Sequence, residues 1–107
     1  EGTNPEELLT AAITSCYSIT LGIIAANRKL PVVDIKTSSV GEVEQSGAQF
    51  TYCAVTLRPV VTLPVGATDD QVRLAEEITH KADAYCIVTN ALRDKVRITI
   101  EPTVVRG

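Results

Sequence analysis

Between Glu7 and Arg28 the chain carries no charged residue, and from Leu8 to Asn27 it is built mainly of Leu, Ile, Ala, Thr and Ser around one cysteine, Cys16. Such a run crosses a membrane, serves as an export leader or lies at the centre of a fold. About 20 apolar residues span a bilayer, and a helix apolar on all sides must be covered by something. Two features select the third option. Thr10, Thr14, Ser15, Ser18, Thr20 and Asn27 interrupt the run, and the residues before it are acidic where a leader carries positive charge. We expect no membrane span but one long, buried helix. Thr3 or Asn4 can cap it, Pro5 suits its first turn, and Glu6 and Glu7 sit at the positive end of its dipole. Arg28 and Lys29 complement the other end and Pro31 stops it, which predicts a helix from about Pro5 to about Arg28.

A chain of 107 residues, 45% hydrophobic and 21% charged, can cover such a helix as one domain with its own core. No methionine opens or occurs in it, so we expect a piece of a longer protein. Its ten basic residues are scattered among thirteen acidic ones, and the densest group, Arg93, Lys95 and Arg97, is interrupted by Asp94. Nucleic acid is therefore not an expected partner. After the helix, Val33, Ile35 and Thr37 alternate with Asp34, Lys36 and Ser38, and the alternation slips near Gly41 as at a β-bulge. Gln45–Gly47 reads as a hairpin turn, after which Cys53, Val55, Leu57, Val61 and Leu63 share one face of a strand. Pro59 marks an edge or a kink there. Thr68–Gln71 is a capping box, and Val72, Ala75, Ile78, Ala82 and Cys86 follow at helical spacing. Val96, Ile98 and Ile100 alternate in a last strand. Helix, strand, strand, helix, strand is the order of an α+β domain with segregated layers.

The three cysteines carry different expectations. Cys53, in phase with Val55 and Leu57, reads as a small core hydrophobe. Cys16 has Leu9, Ala12, Ile13 and Ile23 near its face and, taken alone, also reads as core, since apolar burial keeps a thiol protonated. Cys86 ends the stripe of the second helix; if that stripe packs on the central helix, the two thiols could meet. The only histidine, His80, shares the polar side of its helix with Glu76 and Lys81, so no metal site is expected. Three cysteines without an export signal indicate a reducing compartment, and we expect a cytoplasmic protein.

Two segments, taken together, resemble a known family. Asn4–Leu21, "NPEELLTAAITSCYSITL", resembles the central helix of the OsmC/Ohr proteins, the osmotically inducible and organic hydroperoxide resistance proteins. "ADAYCIVTNAL", Ala82–Leu92, followed by "VRITI", resembles that family's second-cysteine helix and final strand. The resemblance implies an OsmC/Ohr-like α+β fold with a long buried central helix, a second helix and an antiparallel sheet. It makes residues 1–107 a single domain lacking N-terminal strands.

The implied activity is a thiol-dependent peroxidase, without a cofactor, that reduces organic hydroperoxides to alcohols. Cys16 would be the peroxidatic thiol, Cys86 the resolving one, and Glu6 the acidic residue of the site. A thiolate attacks the peroxide oxygen, the resulting sulfenic acid condenses with the second thiol, and an external thiol or dithiol resets the pair. Apolar walls such as Leu9, Ile13 and Ile23 would favour organic peroxides. Glu6 and Cys16 lie ten residues apart on one helix, about 15 Å at about 1.5 Å per residue, so sharing a site requires a homodimer with antiparallel copies of the helix. Ile87 stands where the family has proline after its second cysteine. The family's thiolate-stabilising arginine is expected on a strand preceding this chain, and Arg28, Arg58, Arg73, Arg93, Arg97 and Arg106 do not match its motif. A competing reading is a non-catalytic relative that binds an apolar ligand in the same pocket.

Overall fold

A computed structural model describes residues 5–107, with Glu6 as backbone only; the expected caps Thr3 and Asn4, and the Glu6 side chain, lie outside the described residues. The uncharged run forms helix α1, Pro5–Asn27. Its C-terminus is a Schellman motif, in which the Leu30 N–H donates to Ala25 O at 2.9 Å and the Lys29 N–H to Ala26 O at 3.0 Å. Lys29 takes the left-handed conformation the motif requires, φ 58°, and buried Leu30 closes on Ala25. That return aims the chain back along α1 into the sheet.

Strands β1 (Asp34–Ser46) and β2 (Gln49–Leu63) form a long antiparallel hairpin. Its tight turn falls one residue later than the sequence suggests, at Gly47–Ala48, with Gly47 supplying φ 61°. A bulge breaks the register between Glu42 and Val43, where Glu42 faces Ala54 and Val43 faces Tyr52. The extra residue is Cys53 on β2. This corrects its expected place in the core: alternation from Val55 and Leu57 does not carry through a bulge, and Cys53 is half-buried, its Sγ donating to Glu42 O at 3.4 Å.

Helix α2 (Asp69–Tyr85) opens with the expected capping box between Thr68 and Gln71. After the single non-helical residue Cys86 comes a short helix, α3 (Ile87–Leu92). The last expected strand is two, β3 (Arg97–Ile100) and β4 (Thr103–Arg106), each running parallel to β2 and sharing its second edge. The sheet is therefore mixed rather than wholly antiparallel. Pro59 explains the interruption. Leu57 and Leu63, of the same parity, direct their carbonyls to Glu101 N and Gly107 N, so the N–H that Pro59 lacks would face that same side, where β3 has ended and β4 has not begun.

All three helices lie on one face of the sheet. Ile13, Tyr17, Leu21 and Ala25, four residues apart on α1, meet Ala75, Ile78 and Ala82 of α2 and Val55, Leu57, Val61 and Leu63 of β2 in one core. Toward β1 and the start of β2 the contact is polar. Thr10 Oγ1 pairs with Tyr52 OH, Thr14 Oγ1 with Ser39 Oγ and Ser18 Oγ with Thr37 Oγ1, each at 2.6 Å. Those hydroxyls, which argued against a membrane span, are spent on the sheet. A Cβ at Gly41 would stand 2.5 Å from Tyr52 OH and 2.7 Å from Thr10 Oγ1, so the first pair needs glycine beside it. The third face of α1 is not covered within the chain, against the expectation of burial all round: Ile19 is 62% and Ile23 56% exposed. By length and apolarity alone Glu7–Asn27 could cross a membrane; in the fold it divides into a core stripe, a sheet stripe and an open apolar stripe.

Candidate active site

The open stripe of α1 begins at Cys16. That residue lies at the edge of the core stripe, next to Tyr17, and Cys86 reaches it from the corner between α2 and α3. Seventy positions apart in sequence, the two thiols are close enough that each shifts the ionisation of the other, and both are free. Three other groups favour the ionised form of Cys16: the backbone N–H groups of Val88 and Ile87 and the hydroxyl of Thr20, one turn further along α1.

The two thiols are polarised in opposite directions. Burial pushes Cys16 up, but donation from Cys86, from the Val88 and Ile87 amides and from Thr20 outweighs it and holds the thiol below its ordinary value. Cys86 is fully buried, and burial followed by the contact with Cys16 pushes it above its ordinary value; hydrogen bonds with Thr89 oppose this only in part. Cys16 is thus the thiol that ionises first, with Cys86 as its proton-bearing neighbour. Beneath them, Tyr17 donates its hydroxyl to Thr79 O at 2.6 Å, and burial, then Asp83 and Cys86, keep the phenol protonated.

Cys86 occupies its corner with an extended backbone, φ −79° and ψ 121°. Its carbonyl accepts from Asn90 N at 3.0 Å and Thr89 Oγ1 at 3.1 Å, and its N–H donates to Asp83 O at 3.4 Å. Two consecutive helices break here, which is what turns the thiol inward while Tyr85 and Ile87 on either side remain exposed.

A pocket of about 820 Å³ opens directly on Cys16. Ala12, Ile19, Ile23, Ile24, Tyr85 and Ile87 give it apolar walls, and Ser15, Thr20, Asn27, Arg28 and Lys81 its polar margin. Of the expected wall residues, Ile23 lines it. Ile13 does not, being fully buried in the core stripe, and Leu9 packs against that core instead. Spacing from Cys16 identified its neighbours on the helix but not which side of the thiol faces solvent. Ile19, Tyr85, Ile87 and Thr20 were not expected as pocket residues from the sequence, although Thr20 stands at i+4 and Ile87 follows the second thiol. Arg28 and Lys81 turn to Glu77, at 3.9 and 2.6 Å, and the Glu77 carboxyl is held low by the Lys81 hydrogen bond, then the charges of Lys81 and Arg28. His80 is exposed, and among the described residues no His, Cys, Asp and Glu groups cluster as metal ligands.

Residues 1–101 match the family model described as OsmC-like protein. The uncharacterised protein YmaD of Bacillus subtilis is 36% identical over 107 residues, all of this chain and 71% of YmaD. Peroxiredoxin OsmC of Escherichia coli is 27% identical over 99 residues, 92% of this chain and 66% of its own length. The solved structure of an organic hydroperoxide resistance protein OsmC from Legionella pneumophila superposes with a TM-score of 0.79 at 23% identity, over 95% of this chain and 70% of that one, and shares its fold.

Proposed function

The chain belongs to the OsmC-like protein family, and from that premise we propose that it is a thiol peroxidase acting on organic hydroperoxides. The observation that carries this reading is an oppositely polarised thiol pair whose more acidic member, Cys16, lines an apolar pocket. The Cys16 thiolate attacks the terminal peroxide oxygen; the O–O bond breaks, an S–O bond forms, and the departing alkoxide takes a proton from solvent to leave as the alcohol. Cys86 then attacks the sulfenic sulfur, the S–S bond forms as the S–O bond breaks, and the oxygen leaves as water with the Cys86 proton. An external thiol or dithiol supplies the two electrons that restore the pair. Isoleucine walls admit an organic group and desolvate the peroxide, which favours it over hydrogen peroxide.

The working unit in this proposal is a homodimer. Leu8, Ile19 and Ile23 leave an apolar stripe on α1 that a second copy packing antiparallel would cover. Glu6 of one copy would then approach Cys16 of the other, and the thiolate-stabilising arginine of the family would add a cation to the donors described above.

The direct test treats full-length reduced protein with stoichiometric cumene hydroperoxide and maps the thiols by mass spectrometry. A Cys16–Cys86 disulfide formed within seconds, with cumyl alcohol released in equal amount, is the expected result. The size and apolarity of the pocket favour a second reading, an apolar-ligand carrier; slow oxidation without pairing, with saturable binding of a reduced apolar compound, would establish it instead.

A further inference from the structure

Arg93 has no part in the chemistry above and does not touch the pocket, yet its guanidinium ties together both sides of the Cys86 corner. Nη1 donates to Asp83 Oδ2 at 3.0 Å, and Nη2 to Asp83 O at 2.8 Å and to Asn90 Oδ1 at 2.8 Å. Asp83 precedes the corner and Asn90 follows it. The same two segments are laced by Thr89 Oγ1 to Asp83 O at 2.9 Å and by Asn90 Nδ2 to Ala84 O at 2.9 Å. Among the described residues, every hydrogen-bond partner of this fork lies between Asp83 and Arg93. The fork joins no distant elements and fixes only the path of the chain through Cys86.

We infer that Arg93 is a positioning residue for the second thiol: it holds the Asp83–Asn90 corner closed so that Cys86 stays within bonding reach of Cys16. This rests on the peroxidase reading for its role in turnover, but the positioning itself concerns only the two thiols. The corner needs such a fastening. Cys86 lies outside both helices, its own N–H bond to Asp83 O is long at 3.4 Å, and α3, which carries the donors to Cys16, has six residues. The carbonyl of Asp83 accepts from three donors, Cys86 N, Thr89 Oγ1 and Arg93 Nη2, so it is the point where the corner is pinned. Without the guanidinium, the Asp83 carboxylate and the Asn90 amide lose their shared partner, and the corner is held only by the Thr89 and Asn90 links, which leaves it looser.

The test uses the full-length protein and two independent readouts. The first equilibrates the Cys16–Cys86 disulfide with reduced and oxidised glutathione, which measures the effective concentration of one thiol at the other without any peroxide. Arg93→Ala should lower it about tenfold, since orientation is what sets effective concentration. Arg93→Lys keeps the charge and stem but cannot span Asp83 and Asn90, and should fall in the same direction. The second readout gives one equivalent of cumene hydroperoxide in the presence of a dione probe. The variants should leave a larger share of their oxidised Cys16 captured as sulfenic acid than the wild type does. Arg58→Ala, which removes the Arg58–Glu101 pair, is the control for a lost surface ion pair and should change neither readout. A wild-type glutathione equilibrium in folded Arg93→Ala, or in Arg93→Lys if the alanine variant does not fold, overturns the inference. So does an equal drop in Arg58→Ala. Wild-type protein that forms the disulfide against glutathione but consumes no peroxide would overturn the peroxidase reading while the positioning role stands.

Discussion

Cys86 and Cys53 both sit where regular structure is interrupted, one at a corner between helices and the other at a β-bulge, and the two interruptions aim their thiols differently. At the corner the chain turns inward, Thr89, Asn90 and Arg93 fasten the backbone around the thiol, and the fully buried sulfur faces Cys16. At the bulge the extra residue is displaced within one sheet, and the sulfur meets only the Glu42 carbonyl of the neighbouring strand. What makes a cysteine a candidate for redox work here is what its backbone aims it at, not burial. Cys16 and Cys86 have a partner thiol and amide donors; Cys53 has a carbonyl.

The sharpest way to break this contrast is to remove the thiol on which the peroxidase reading depends. Cys16→Ser should reduce cumene hydroperoxide turnover by about a thousandfold or more, because a serine hydroxyl neither ionises near neutral pH nor accepts oxygen as sulfur does. Activity within about tenfold of wild type would mean that another thiol does the work. Cys86→Ser comes next. The first oxidation should survive and the multiple-turnover rate should fall about ten- to a hundredfold, with Cys16 driven to sulfinic acid as peroxide is raised. Mass spectrometry of Cys16 at graded peroxide reads this out; unchanged resistance to overoxidation would remove Cys86 from the resolving role.

Much of this arrangement was legible in the chain, and what was not has identifiable causes. The absence of charge from Leu8 to Asn27 and the Thr68–Gln71 capping box set the bounds of both long helices because those signals are local. The pairing of Cys16 with Cys86 came from the resemblance together with the α2 stripe. By contrast, the parallel pairing of β3 and β4 with β2 depends on where the chain returns after α3, which no local pattern encodes, and β4 is four residues following Pro102. Cys53 was misplaced because alternation was carried through a bulge that breaks it. Ile13 was given to the pocket because helical spacing places it near Cys16, whereas the packing of α2 decides which edge of the stripe is sealed.

A smaller effect sharpens the account of Cys16 itself. Thr20 donates to the sulfur and lowers its pKa, so Thr20→Val should raise it. A raised thiol pKa means less thiolate at any pH below it, and the alkylation rate of Cys16 should therefore rise with pH along a curve displaced to higher pH than in wild type. At pH 6 the rate should fall by about two- to fivefold, and above the titration of both proteins the two should converge. A uniform loss at every pH would indicate a steric effect on the pocket, and no displacement would leave the amides of Ile87 and Val88, with Cys86, as the donors that matter.

The smallest effect is expected at the other interruption. Cys53→Ala removes a half-buried sulfur and one long contact to Glu42 O, but the bulge is held by the strand pairing on either side of it, Glu42 with Ala54 and Val43 with Tyr52. Tyr52, the next residue, is independently anchored to α1 through Thr10, with Gly41 leaving room for the two hydroxyls. Stability should therefore change by no more than about 1 kcal/mol, the size of an ordinary substitution outside the core, as read from the urea midpoint at constant slope. Peroxide turnover and formation of the Cys16–Cys86 disulfide should match wild type. A stability loss above about 3 kcal/mol, of the size seen for large core truncations, would return Cys53 to the core where its phase with Val55 first placed it. A turnover loss approaching that of Cys16→Ser would show that a carbonyl partner does not exclude a thiol from the chemistry, and the contrast between corner and bulge would fail.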